Sequence, residues 1–202
     1  MSPRRANPEL AERRREALIR AGYAEILEKG LQATTIDSVV ERAGSSKGGA
    51  LYYFRTKDDL FYAVFEWLLD QLSRTLDEVS AAGESPRARL AAEIEVLFHS
   101  AAVNRKLYIV FFDFVSLSLR SERFRLLLAA FFERCRKRDM AIIQEGIDLE
   151  EFRAVKPEDA ARTIRGLVDG YCLQWMTNGS AADLESFRDR CRAVLGSYLL
   201  RG

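Results

Sequence analysis

The 202 residues are 48% apolar and 30% charged, a globular balance that excludes a disordered or low-complexity polymer. No apolar run approaches the ~20 residues of a membrane-spanning helix, and three scattered cysteines (Cys135, Cys172, Cys191) exclude a disulfide framework or a cysteine metal site. The net charge of +1 conceals an uneven spread: residues 1–57 hold 11 Lys and Arg against 7 Asp and Glu, residues 58–202 hold 20 against 23, so the basic head suits a polyanion.

The start, MSPRRANPELAERRRE, is basic but lacks the apolar middle of a signal peptide, and a cytoplasmic chain is expected. Asn7-Pro8-Glu9 opens a first helix with a cap, a first-turn proline and an acid at the positive end of the dipole. That helix should stop at Gly30. Thr34 is expected to cap a short second helix, with Asp37 three residues on, ending near Ala43-Gly44. Ser45-Ser46 caps a third helix through Tyr53, and Lys57 begins a long fourth reaching about Ser80. Ser85-Pro86 restarts the chain after a loop. Apolar stretches follow at 86–103, 105–119 and 121–145, the last stopped by Gly146. Pro157 and Ser180 open two final amphipathic helices, at 157–178 and 181–200. The pattern predicts nine helices and no strand.

Two short helices joined by Ala43-Gly44-Ser45 make a helix-turn-helix, the glycine supplying a left-handed turn. Its second helix carries Gly48-Gly49, which costs ~2 kcal/mol of helix propensity relative to alanine. Close approach of another backbone justifies that cost. A helix N-terminus bearing hydroxyls, one lysine and two tyrosines fits a major groove, where Lys47 reaches a guanine edge and amides meet phosphates.

The run Ala33-Thr34-Thr35-Ile36, Val39-Val40, then Ala43-Gly44-Ser45-Ser46-Lys47-Gly48-Gly49-Ala50-Leu51-Tyr52-Tyr53-Phe54-Arg55-Thr56-Lys57-Asp58-Asp59-Leu60 resembles the DNA-binding domain of the TetR family of transcriptional regulators. The resemblance spans about residues 12–65. It implies that Thr35 and Lys57 touch phosphates, that Ser45, Ser46, Lys47, Gly48 and Gly49 face the groove, and that Tyr52 and Tyr53 contact bases or backbone. Leu51 stands where many members carry tyrosine, so the base-reading pattern does not transfer intact. For one of Tyr52 and Tyr53, core packing is an equal alternative. Arg4, Arg5 and Arg13–Arg15 form either an arm toward DNA or, for the last three, a solvated face.

In the body, Ile164, Leu167 and Val168 on one helix and Phe187, Cys191, Val194, Leu195 and Tyr198 on the next form apolar stripes. Such stripes either pair two subunits through a four-helix interface, as the resemblance implies, or close the monomer core. Trp67, Phe98, His99, Tyr108, Phe111, Phe112, Tyr171 and Trp175 form either an aromatic wall for a ligand or ordinary core. Asp169 anchors such a pocket or bonds a neighbouring helix. Arg134–Arg138 read as a solvated face. No Cys–His pair, phosphate loop or nucleophile elbow supports an enzyme.

The expected protein is all-α: a three-helix DNA-binding domain over 1–57, with the helix-turn-helix at about 35–54, then a six-helix ligand-binding and dimerisation domain over 58–202. The expected function is a homodimeric repressor on a palindromic operator of double-stranded DNA, released by a small lipophilic or aromatic effector, without cofactor, metal or membrane. The alternatives are an all-helical protein-binding adaptor, or an activator with no effector.

Overall fold

A computed structural model describes residues 8–200 and shows among them nine helices: α1 (Pro8–Ala33), α2 (Ile36–Arg42), α3 (Lys47–Tyr53), α4 (Lys57–Ala82), α5 (Pro86–Leu97), α6 (Ala101–Ser118), α7 (Glu122–Asp148), α8 (Pro157–Asn178) and α9 (Ala181–Leu199). The chain is all-α. Among the described residues no strand forms, only an isolated antiparallel bridge between Phe152 and Leu200, and no helix is long and apolar enough to cross a membrane. Asn7, Arg4 and Arg5, assigned above to a cap and an arm, lie outside the described residues.

Most helix starts follow local capping chemistry. Ser46 accepts from Gly49 N at 3.1 Å, and Ser85, just ahead of Pro86, accepts from Ala88 N at 3.2 Å. Ser180 and Asp183 form a reciprocal capping box. Three expectations shift. Gly30 does break α1, with φ 78° and ψ 162°, but the cap of α2 is Thr35, in a box with Ser38. Thr34 is buried, its hydroxyl donating back to Gly30 O at 2.9 Å, one residue ahead of the cap position. The stretch 86–103 ends at Leu97, because buried Asn104 donates to Leu97 O at 2.7 Å and competes with the helical ladder. Gly146 does not stop α7. The Phe152 ring packs where its Cβ would sit, so that glycine makes room for a side chain.

The chain divides into two compact units. One runs up to Leu69 and takes in Ile109–Phe124; the other comprises Asp70–Tyr108 and the chain from Arg125 on. In the first, Leu18, Ile26, Val39, Ala50 and Phe54 form the core under the helix-turn-helix. Phe65 stacks on Phe114 with centroids 4.5 Å apart, and Phe124 continues the stack. Asp113 of α6 accepts from Leu31 N at 3.1 Å, satisfying the amide that follows the break at Gly30. In the second unit, α5, α7, α8 and α9 bury Ile94, Phe131, Ile143, Val168, Trp175 and Leu195. The α7–α8 connection is tied to the end of α9, Arg153 N donating to Leu199 O at 2.8 Å.

Candidate DNA-binding interface and buried polar core

Gly44 adopts φ 59°, the left-handed turn the sequence predicted between α2 and α3. The turn of α3 then sorts its residues onto two faces. Ala50 and Phe54 are buried and Tyr53 is half-buried, whereas Lys47, Gly48, Leu51 and Tyr52 are exposed at the i, i+1, i+4, i+5 spacing of one outward stripe. Tyr52 is 78% exposed, and Tyr53 packs edge-on against it and tilted against Phe54. The pair therefore separates into one surface tyrosine and one anchor.

The two glycines differ as sharply. A Cβ at Gly49 would come within 3.0 Å of Ser46 Oγ, so the cap itself restricts that position. At Gly48 a Cβ would meet nothing within 4 Å, and nothing inside the protomer explains the missing side chain. Ser45 and Ser46 are exposed beside it, and Thr35 is exposed at the start of α2. Lys47 Nζ lies 2.9 Å from Asp37 Oδ1, an exposed pair that holds the ammonium weakly. Lys57 is half-buried, donating to Gln32 O at 3.1 Å and sitting 4.9 Å from the Phe61 ring centre. Arg15 lies over the Phe54 ring and beside Glu12, while Arg13 and Arg14 are exposed.

Sequence reading missed Glu25, only 2% exposed beneath this surface. It receives Lys29 at 2.8 Å and the guanidinium of Arg42, which also reaches Glu28, so α1 and α2 are joined through one buried carboxylate. Hydrogen bonding from Lys29 first, then Arg42, outweighs burial and lowers its pKa to about 2. The Glu25–Lys29 spacing was visible in the sequence; the partner across the helix boundary was not.

The aromatic residues are distributed over both units. Trp67 packs on Tyr23 and under Arg20, and Phe111 lies between Phe65 and Phe112, all within the first unit. Phe98, Tyr108 and Trp175 are core residues of the second unit, and Trp175 donates to Ser180 O at 2.7 Å. His99 is exposed in the gap between α5 and α6, and Tyr171 stacks on Phe187 at 5.0 Å. Asp169 pairs with Arg165 one helical turn earlier. The stripes of α8 and α9 divide in the same way. Ile164, Val168, Cys191 and Leu195 are buried within the protomer, leaving Val194 exposed and Leu167, Phe187 and Tyr198 half-exposed on the flank. Gly166 and Gly170 on α8 face open space.

Polar chemistry in the second unit lies deeper than expected. Glu93 on α5 and Asp139 on α7 are 3% and 4% exposed and hydrogen-bond each other. Burial first, then the adjacent Glu93 carboxylate, pushes the Asp139 carboxyl well above the carboxylate range, and burial raises Glu93 too. The two carboxyls titrate as a pair, with Asp139 displaced upward the further. Arg138 donates to Glu93 at 2.8 Å and to Asp77 at 3.0 Å. It is not part of a solvated face: three residues past buried Cys135, it turns inward while Arg134 and Lys137 stay exposed. Burial also raises the three thiols, Cys172 to about 12 and Cys191 to about 11, leaving them protonated packing groups.

Against known proteins, residues 18–64 match the family model of bacterial regulatory proteins of the tetR family, and residues 86–200 match that of the BetI-type transcriptional repressor C-terminal region. The chain is 30% identical to the HTH-type transcriptional regulator YfiR of Bacillus subtilis (strain 168), over 78% of this chain and 76% of that protein. It is 29% identical to the HTH-type transcriptional regulator BetI of Yersinia pestis (strain Pestoides F), over 82% of each. A transcriptional regulator from Saccharomonospora viridis, solved in complex with choline, shares the fold with a TM-score of 0.86 at 16% identity, over 95% of this chain and 100% of that one. The helix-turn-helix and the matches that span both regions place this chain in the TetR family of transcriptional regulators, proteins that control transcription and are not enzymes.

Proposed function

We propose that the protein is a homodimeric repressor that reads a palindromic operator with α3 and is released by a small effector bound in its second unit, acting in the cytoplasm. The stripe Lys47, Gly48, Leu51 and Tyr52 carries this reading, above all Gly48, whose missing side chain no protomer neighbour requires. In the groove, Lys47 exchanges the Asp37 carboxylate for a guanine edge, and Ser45, Ser46, Gly49 and Tyr52 meet phosphates or base edges. Leu51, 40% exposed, offers an apolar contact to a thymine methyl in place of a tyrosine hydroxyl. Tyr53 orients α3 from beneath, and Thr35 and Lys57 flank the stripe as phosphate contacts.

A single seven-residue helix reads too few bases, so two copies must present α3 one DNA turn, about 34 Å, apart. The exposed flank of α8 and α9, with Leu167, Phe187, Val194 and Tyr198 beside the open Gly166 and Gly170, is the proposed pairing surface. The choline-bound neighbour supports a small-molecule effector in the body. Selection of genomic fragments with purified protein tests the whole reading: a recovered inverted repeat is expected, and a sequence without two-fold symmetry overturns it. Sedimentation should give about 46 kDa, twice the chain mass of 23.0 kDa, and Leu167→Asp with Val194→Asp should give monomers.

A further inference from the structure

Within the second unit, α5 and α9 turn matched faces to one another. On α5, Arg87, Leu90, Ala91 and Ile94 fall at i, i+3, i+4 and i+7; on α9, Arg192, Leu195, Gly196 and Leu199 repeat that spacing. Between them lies a groove of about 290 Å³, with Phe152 and Leu200 at its Arg87 end. It follows α5 from Arg87 to Ile94, about 10 Å at the helical rise. Gly196 is not explained by packing inside the protomer. A Cβ there would meet only Leu200 Cδ1, at 3.8 Å, an ordinary contact, although glycine inside a helix costs stability relative to alanine. Its missing side chain keeps the groove open. The two ends differ in charge. At the Ile94 end, Glu95 is taken by Arg192 at 2.8 Å and Arg188 at 3.6 Å. At the other, Glu151 accepts from the Arg87 backbone amide at 3.2 Å, and Arg153 donates to Leu200 O at 2.6 Å. The exposed Arg87 guanidinium has no carboxylate partner among the described residues, and no acid lines the groove.

We infer that this groove binds a medium-chain carboxylate, its alkyl chain between Ala91 and Gly196 and its head on the Arg87 guanidinium. A carboxylate accepts two parallel N–H bonds from one guanidinium, and an alkyl chain removes Leu90, Ile94 and Leu195 from water. A hydroxyl head gains a weaker bond that water already supplies, and a cationic head meets Arg87 with like charge. Phe187, Val194 and Tyr198 fall on a different face of α9, about a third of a turn round. The pairing surface proposed above therefore leaves the groove open. Because α9 carries both faces, a chain held against α5 bears on the packing of the dimer. The assignment rests on the ligand-responsive regulator proposed above and names the chemical class of its effector.

Octanoate, 1-octanol and octyltrimethylammonium share one chain and differ in the head. Titrated calorimetrically into the full-length protein at neutral pH, octanoate should bind at least about fivefold tighter than octanol, and the cation more weakly still. Arg87→Gln should bring octanoate down to the affinity of octanol and leave octanol unchanged, while Arg87→Lys should keep part of the difference. Gly196→Leu, which fills the groove and favours the helix, should weaken both by about tenfold or more without lowering the melting temperature. Saturating octanoate should weaken operator binding by about 5–150-fold in the wild type and leave Gly196→Leu unaffected. Equal affinities for octanoate and octanol, octanoate binding that survives Gly196→Leu, no binding of any probe, or an operator affinity unmoved by bound octanoate overturns the assignment. So does a Gly196→Leu protein that loses its dimer in sedimentation, because a second copy of the chain then fills the groove. Operator binding by the unliganded wild type is read separately. Its absence overturns the regulator reading, whereas the ranking of head groups decides the site by itself.

Discussion

The two units treat polar groups in opposite ways. Around α3 the chain strips its surface, leaving Gly48 bare and Lys47 held by one exposed carboxylate, so that partners are easily exchanged. Between α5 and α7 it buries its polar groups, Glu93 and Asp139 lying beside Arg138. An exposed ion pair contributes little and can be traded for DNA, while a buried one is costly to break and holds its shape. The exposed stripe of α3 and the buried core of the second unit use the same residue types with different solvation.

Gly48→Leu is the most severe test of the first half. It should abolish operator binding while the melting temperature stays or rises, since leucine favours helix by about 0.8 kcal/mol or more and meets nothing in the protomer. Titration of the operator beside a thermal melt decides it; wild-type affinity would mean that α3 does not enter the groove. In the second unit, Arg138→Ala leaves Glu93 and its neighbour without their cation and should cost about 3–5 kcal/mol in urea unfolding. Arg136→Ala, which removes surface contacts to Glu133 and Glu158, should cost under about 1 kcal/mol. Equal losses would erase the distinction between the two environments.

Smaller effects separate the two lysines. Lys47→Ala should cost about 1–3 kcal/mol on the operator and relax one position per half-site. Lys57→Ala should weaken all duplexes alike and lower the salt slope by about one per subunit contact, read from titrations at several salt concentrations. The mildest contrast is in pH. Glu25 falls from its ordinary 4.5 to about 2 in the folded protein, so its contribution is complete above pH 4.5 and is lost as pH falls toward 2. Asp139 is displaced upward, so its contribution is complete below 3.8 and is lost as pH rises toward its folded value. Glu25→Gln should flatten the acid limb of the stability curve and Asp139→Asn the limb above it; either variant moving the other's limb contradicts the assignment.

Legibility followed the range of the interactions. Ser46, Ser85, Ser180, Gly44 and Pro157 were readable because a cap or turn is settled within three or four residues. The cap of α2 falls on Thr35, because Thr34 is buried and turned back toward the break at Gly30. Gly146 was misread as a stop because its neighbour, Phe152, arrives from beyond the helix.

The apolar period and the capping residues by themselves determined the nine helices of the described residues, a helix-turn-helix and the outward stripe of α3, since each depends on neighbours within a turn or two of chain. Tertiary structure alone decided that Tyr53 anchors while Tyr52 is exposed, and that Ile164, Val168, Cys191 and Leu195 are buried in the protomer. It also decided that Glu93, on α5, meets Asp139, on α7. An amphipathic stripe states that a face is to be covered but not by what, and a carboxyl group's charge depends on water that only a second helix can exclude.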